Sequence, residues 1–145
     1  MRTDTTIAAI YGLEQRSRVA RPLFLSGVSA GFPSPAEDYI DRRLDLNELL
    51  IKHPAATFFV RVAGDSMTGA GIHHDDILIV DRSLAATSGR IVIAVYNGEL
   101  TVKRLVRDGE SVRLVAENPA YPDLVVDGED GCEIWGVVTS VIHQL

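Results

Sequence analysis

Thr57-Phe58-Phe59-Val60-Arg61-Val62-Ala63-Gly64-Asp65-Ser66-Met67 is the stretch on which the reading of this chain turns. Its first seven residues alternate as a half-buried strand does, and Gly64 then lets the backbone turn. The Ser66 hydroxyl therefore sits where a strand ends. A second strand-like run, Leu100-Thr101-Val102-Lys103-Arg104-Leu105-Val106, places Lys103 thirty-seven residues later (103 − 66 = 37). A serine needs a base before it can attack a carbonyl, and a neutral amine can serve. Ser66 is read as a candidate nucleophile and Lys103 as its candidate base.

At 145 residues the chain is long enough for one domain with a real core. Its 46% hydrophobic and 23% charged residues are ordinary for a folded soluble protein. No run approaches the ~18 apolar residues of a membrane span. Ile7-Ala8-Ala9-Ile10-Tyr11 is too short for a signal-peptide core, so a cytoplasmic location is expected. The single cysteine, Cys132, cannot form an internal disulfide, which agrees with a reducing compartment.

The net charge of −6 argues against broad electrostatic binding to nucleic acid. Residues 1–30 hold Arg2, Arg16, Arg18 and Arg21 against Asp4 and Glu14, a net +2, which leaves −8 for the rest (−6 − 2 = −8). A basic arm on an acidic body can dock on it or be detached from it. Twelve of the fourteen cations are arginine, which makes a poor proton acceptor. Lys52 and Lys103 are the only lysines, so an amine base has two candidates, of which Lys52 is the weaker. A lysine base must be neutral. Its ordinary pKa is about 10.4, and an apolar cleft can lower that by up to ~3–5 units.

The order of elements is set by local signals. Residues 1–38 read as an arm: Ile7 to Leu13 allow a helical turn or two, and Pro22, Gly27, Gly31, Pro33 and Pro35 keep the remainder of the arm extended. Val28-Ser29-Ala30-Gly31-Phe32-Pro33 has small central residues, the shape a protease cleft accepts. Asp45-Leu46-Asn47-Glu48 opens a short helix with a capping box, which Pro54 ends. Strands are predicted over Thr57–Ala63, Ile77–Val80, Arg90–Tyr96, Glu99–Val106, Ser111–Ala116 and Cys132–Ile142. Asn97-Gly98 is a strong hairpin signal because both residues accept positive φ. A curled or barrel-like, mainly β body is expected from 39 to 145. No three-helix DNA-binding module fits before Thr57.

Other residues carry weaker signals. A serine after glycine at a strand end more often shapes a turn than performs catalysis. Ser66-Met67-Thr68-Gly69 is not Ser-x-x-Lys, which excludes a β-lactamase-like dyad. Alternation along the Lys103 strand leaves open which face is buried. His73-His74 beside Asp75-Asp76 admits a metal site or a Ser-His-Asp triad. Adjacent side chains rarely share one metal, however, and no third ligand has zinc-motif spacing. Asp76 is read as shaping a turn, Cys132 as a small core side chain and Trp135 as packing or interface.

Taken together these residues resemble the LexA/UmuD-type self-cleaving serine peptidases. The likeness runs from about Pro22 to the C-terminus. It rests on Gly31-Phe32-Pro33-Ser34-Pro35-Ala36, Asp45-Leu46-Asn47, His53-Pro54, Gly64-Asp65-Ser66-Met67, Asp76-Ile77-Leu78-Ile79-Val80-Asp81 and Thr101-Val102-Lys103. Phe32-Pro33-Ser34-Pro35 and the Asp-Leu-Asn segment are similar to the UmuD-like branch. The resemblance implies a β pseudo-barrel of the LexA/signal-peptidase kind, a Ser66/Lys103 dyad and a self-cut between Ala30 and Gly31. It also implies an oxyanion held by the backbone N–H groups of Asp65 and Ser66. No cofactor or metal is implied. It further implies a homodimer, stimulation by a RecA–single-stranded DNA filament in the SOS response to DNA damage, and pairing of the trimmed form with a UmuC-like subunit for translesion synthesis. Two alternatives remain: a β module that regulates a polymerase by contact alone, and the C-terminal body of a LexA-type repressor.

Overall fold

A computed structural model of the chain describes residues 4–14, 20–24, 40–126 and 132–145. The strands are β1 (Thr6–Gly12), β2 (Ala20–Phe24), β3 (Ile40–Asp45), β4 (Thr57–Ala63), β5 (Ile77–Asp81), β6 (Ile91–Tyr96), β7 (Glu99–Asp108), β8 (Ser111–Val115), β9 (Leu124–Val126) and β10 (Glu133–Ile142). One short helix, α1 (Leu46–Leu50), lies between β3 and β4. The chain forms two compact units: one holds β1 and everything from His53 onward, the other the described residues of 14–52. In the second, β2 and β3 pair as a two-stranded sheet, and Asp45 caps α1 by accepting from the Asn47 N–H at 3.0 Å.

The first unit is mainly β, as expected. Its sheet order is β1-β4-β5-β10-β6-β7-β8-β9, and β1 also meets β7 at Thr6↔Thr101. That contact closes six strands, β1-β4-β5-β10-β6-β7, into a barrel, with β8 and β9 continuing beyond β7. Neighbouring strands run antiparallel. The β6–β7 hairpin turns at Asn97-Gly98, with φ of 50° and 80°, the paired positive values of a tight two-residue turn.

Several expectations about elements differ from the structure. Ile7 to Leu13 is not helical; residues 6–12 are strand β1, paired with β4 from Thr6↔Ala63 to Gly12↔Phe58. A register shift between Ile7 and Ala9 breaks the alternation. The remaining apolar spacing imitates a helical turn. Strand β2 lies in the arm that reads as extended, β3 has no counterpart among the predicted strands, and the three-residue β9 carries too little pattern to be seen. Strand β7 also runs two residues past Val106.

Two apolar clusters hold the unit together. Val60, Val62, Met67, Ile72, Leu78, Val80, Ile93 and Val102 form one. Val92, Ala94, Leu105, Leu114 and Val137 form the other. Successive residues of β6, Val92 and Ile93, enter different clusters, so this strand is buried on both faces. Trp135 packs edge-on against Phe58 at 6.4 Å and lies under the Arg82 guanidinium.

The buried Asp81 carboxylate ties the end of β5 to the turn before β4. It meets His53 Nδ1 at 2.6 Å and accepts from the Ser83 N–H at 2.8 Å and the Ser83 hydroxyl at 2.6 Å. Burial works to raise its pKa. The bonds from Ser83 and His53 outweigh that and hold it below the ordinary aspartate value. A depressed folded value means stability that is fully present above the unfolded pKa of about 3.9 and is lost as pH falls through the folded one. Asp81→Asn should therefore lower the melting temperature at pH 7, and its deficit against wild type should narrow below about pH 4. Thermal melts from pH 7 to pH 2 check this.

Candidate active site

The serine turn is fixed at both ends by the core. Val62, near the end of β4, and Met67, just after Ser66, are both fully buried. Between them Gly64 takes φ 103°, a left-handed value that favours glycine. The turn is crossed by bonds from the Val62 N–H to the Asp76 carbonyl at 3.0 Å and from the Asp75 N–H to the Val62 carbonyl at 2.8 Å. Asp76 shapes that loop, accepting from the His73 N–H at 2.8 Å.

Lys103 stands in the middle of β7, opposite Val92 of β6. It is 1% exposed, and Ser66 is fully buried. The structure brings the two together: Lys103 Nζ lies 3.2 Å from Ser66 Oγ. Thr101, Val102, Lys103 and Leu105 are all buried. The strand thus has no solvent face at this point, which is why alternation alone did not orient Lys103.

Two residues from the start of the chain complete the cleft. The Lys103 amine donates to the Asp4 carboxylate as well as to Ser66. The Thr5 N–H donates to Ser66 Oγ at 2.9 Å, and the Ser66 N–H donates to Thr5 Oγ1 at 2.9 Å. The Ser66 N–H therefore points at an oxygen atom inside the cleft, the direction an oxyanion donor needs.

A third segment buttresses the turn from behind. Asn118 Nδ2 donates to the Asp65 carbonyl at 2.9 Å, and the Tyr121 hydroxyl to the Asp65 carboxylate at 2.5 Å. The Gly69 N–H donates to the Glu117 carbonyl at 2.7 Å. Arg104, beside Lys103, pairs with the Glu117 carboxylate and donates to the Gly89 carbonyl at 2.6 Å. Residues 117–121 are thus tied both to the serine turn and to the lysine strand. Sequence reasoning missed Asp4, Thr5, Asn118 and Tyr121. Asn118-Pro119 signals a turn, but nothing local signals what that turn supports.

The other candidates lie elsewhere. Neither His73 nor His74 bonds to the Ser66 hydroxyl, whose partners among the described residues are Lys103 and Thr5. His74 Nδ1 accepts from the Gly64 N–H at 3.3 Å, while the His73 ring packs on His143, itself 2.5 Å from Asp76. Among the described residues no group of three or more His, Cys, Asp or Glu is placed to hold a metal ion. Lys52 Nζ donates to the Glu48 carbonyl at 3.0 Å. Burial pushes the Cys132 thiol pKa up, against the pull of Arg107, so it is a poor nucleophile. Ala30 and Gly31 lie outside the described residues. No described helix is long and apolar enough to cross a membrane.

Residues 22–139 match the model of the Peptidase S24-like family, and the chain belongs to that family. Within it the chain is a UmuD-type protein. It is 49% identical to Protein SamA of Salmonella typhimurium over 123 residues, 85% of each chain. It is 46% identical to Protein MucA of Escherichia coli over 124 residues, 85% of this chain and 84% of that one. To LexA repressor 1 of Pseudomonas putida it is 38% identical over 136 residues, 93% of this chain and 67% of the repressor.

The packing of the buttress has a direct test. A Cβ added at Gly69 would stand 2.6 Å from the Glu117 carbonyl oxygen, a backbone atom with little freedom to move. Gly69→Ala should cost about 1–3 kcal/mol of stability, read as a lower urea midpoint with an unchanged slope.

Proposed function

We propose that the chain is a self-cleaving serine peptidase in which Ser66 is the nucleophile and Lys103 the base. The observation that carries this reading is the 3.2 Å contact between Lys103 Nζ and Ser66 Oγ inside a buried cleft. A lysine in a strand ordinarily reaches solvent. One kept dry beside a serine hydroxyl is placed for proton transfer.

The bond cut is Ala30–Gly31. With Lys103 neutral, Ser66 Oγ attacks the Ala30 carbonyl carbon and its proton passes to Nζ. The oxyanion is held by the backbone N–H groups of Ser66 and Asp65. Collapse breaks the C–N bond, and Nζ returns the proton to the Gly31 nitrogen. Water then hydrolyses the Ala30 ester and releases residues 1–30. Functionally, residues 1–38 carry the cleavage site, and residues 39–145 form the peptidase and dimerisation body.

The UmuD type supplies the wider setting. The protein acts as a cytoplasmic homodimer in SOS mutagenesis. A RecA–single-stranded DNA filament stimulates the cut, and the trimmed form serves as accessory subunit of a UmuC-like translesion polymerase. Neither a metal nor sequence-specific DNA binding enters the scheme.

Intact-mass analysis of the purified chain tests the chemistry. Loss of Met1–Ala30 should rise from neutral pH towards about pH 10, where lysine sheds its proton. Ser66→Ala and Lys103→Ala should each abolish it. If no cut appears at any pH, even with an activated RecA filament, the reading gives way to regulation by contact alone.

A further inference from the structure

We propose that Asp4 and Thr5 are a plug that the chain supplies to its own Ser66/Lys103 cleft, and that this plug must leave before the dyad can act. The inference rests on the peptidase reading for its consequence, but on separate contacts for its geometry.

The plug engages each group that the chemistry needs. A serine hydroxyl has two acceptor lone pairs. At Ser66 two donors converge on that oxygen, the Thr5 N–H at 2.9 Å and Lys103 Nζ at 3.2 Å, so no lone pair faces an incoming carbonyl. The Lys103 amine is held between Asp4 and Ser66, so the plug engages it alongside the hydroxyl it would serve. The Ser66 N–H, the candidate oxyanion donor, is occupied by Thr5 Oγ1 at 2.9 Å. A substrate carbonyl cannot enter while Thr5 is there.

The plug is built in rather than brushed against. Thr5 is fully buried. Its carbonyl accepts from the Thr101 hydroxyl at 3.1 Å and the Val102 N–H at 3.4 Å, both on the lysine strand. Behind it, β1 pairs along β4. That strand loosens outward: Ile10 and Tyr11 are 48% and 43% exposed. The segment is thus fixed at the dyad, with Ile7 packed on the first apolar cluster and its outer residues more exposed. Residues 4 and 5 also lie outside the family match, which begins at residue 22.

Two measurements on the full chain test it, with Asp4→Asn and the double variant Asp4→Asn/Thr5→Val. In the first, conversion to the fragment beginning at Gly31 is tracked by intact mass at neutral pH. Removing a charge-assisted hydrogen bond should speed it on the order of ten-fold. In the second, amide hydrogen exchange is read in peptides covering 4–12, 57–63 and 133–142. The double variant should exchange faster over the first two and unchanged over the third, which reports that the fold is intact. A wild-type chain that cuts itself while the variants cut no faster overturns the plug, as does unchanged exchange over 4–12 and 57–63. Faster exchange over those segments with no cleavage in any chain keeps Asp4 and Thr5 as the occupants of the cleft and overturns the peptidase reading instead.

Discussion

A lysine amine buried inside a β barrel is the constraint to which the rest of this structure answers. An ammonium ion removed from water costs several kcal/mol unless it is paired and hydrogen-bonded. Lys103 is about as deeply buried as the apolar core side chains around it, and it has Ser66 and Asp4 as partners. Each comes from a different part of the chain: the turn after β4 and the residues before β1. The amine thus adds a polar tie between two segments that β1–β4 pairing and the Thr5–Ser66 hydrogen bonds already bring together. Any chemistry at Ser66 begins from this electrostatic arrangement.

The turn that carries Ser66 is shaped by its surroundings more than by its own residues. Gly64 provides the left-handed step, but the position of Asp65 is set by Asn118 and Tyr121, more than fifty residues away (118 − 65 = 53). Arg104 anchors the same segment through Glu117. The buttress therefore joins the strand that holds Lys103 to the turn that holds Ser66. A change in that segment would be felt by both partners together.

Much of this was legible in the sequence, and the failures share one cause. The strands from Thr57 onward announce themselves through alternation, and Asn97-Gly98 marks its hairpin because few other pairs accept two positive φ values. Ser66 and Lys103 stand out by position and by the scarcity of lysine. What could not be read locally is set by distant partners. β1 has a bulge that hides its strand period, and it is a strand because β4 and β7 offer it their edges. Lys103 defied assignment to a face because both faces of β7 are buried there. Asp4 and Thr5 form an unremarkable dipeptide whose role exists only across 61 and 99 positions of chain.

The strands that deliver Ser66 and Lys103 are not paired with one another in the sheet. Around the barrel, β4 reaches β7 on one side through β1 and on the other through β5, β10 and β6. Strand β1 on one side and strands β5, β10 and β6 on the other are thus the spans that set the distance between hydroxyl and amine. During synthesis β1 emerges early, yet it has no complete groove until Thr101 has emerged too, ninety-five residues later (101 − 6 = 95). The other route waits for Ile142. Contacts this far apart are slow to form because loop closure precedes any reward. A growing chain therefore holds the Ser66 hydroxyl well before it holds the strands that set its distance from Lys103.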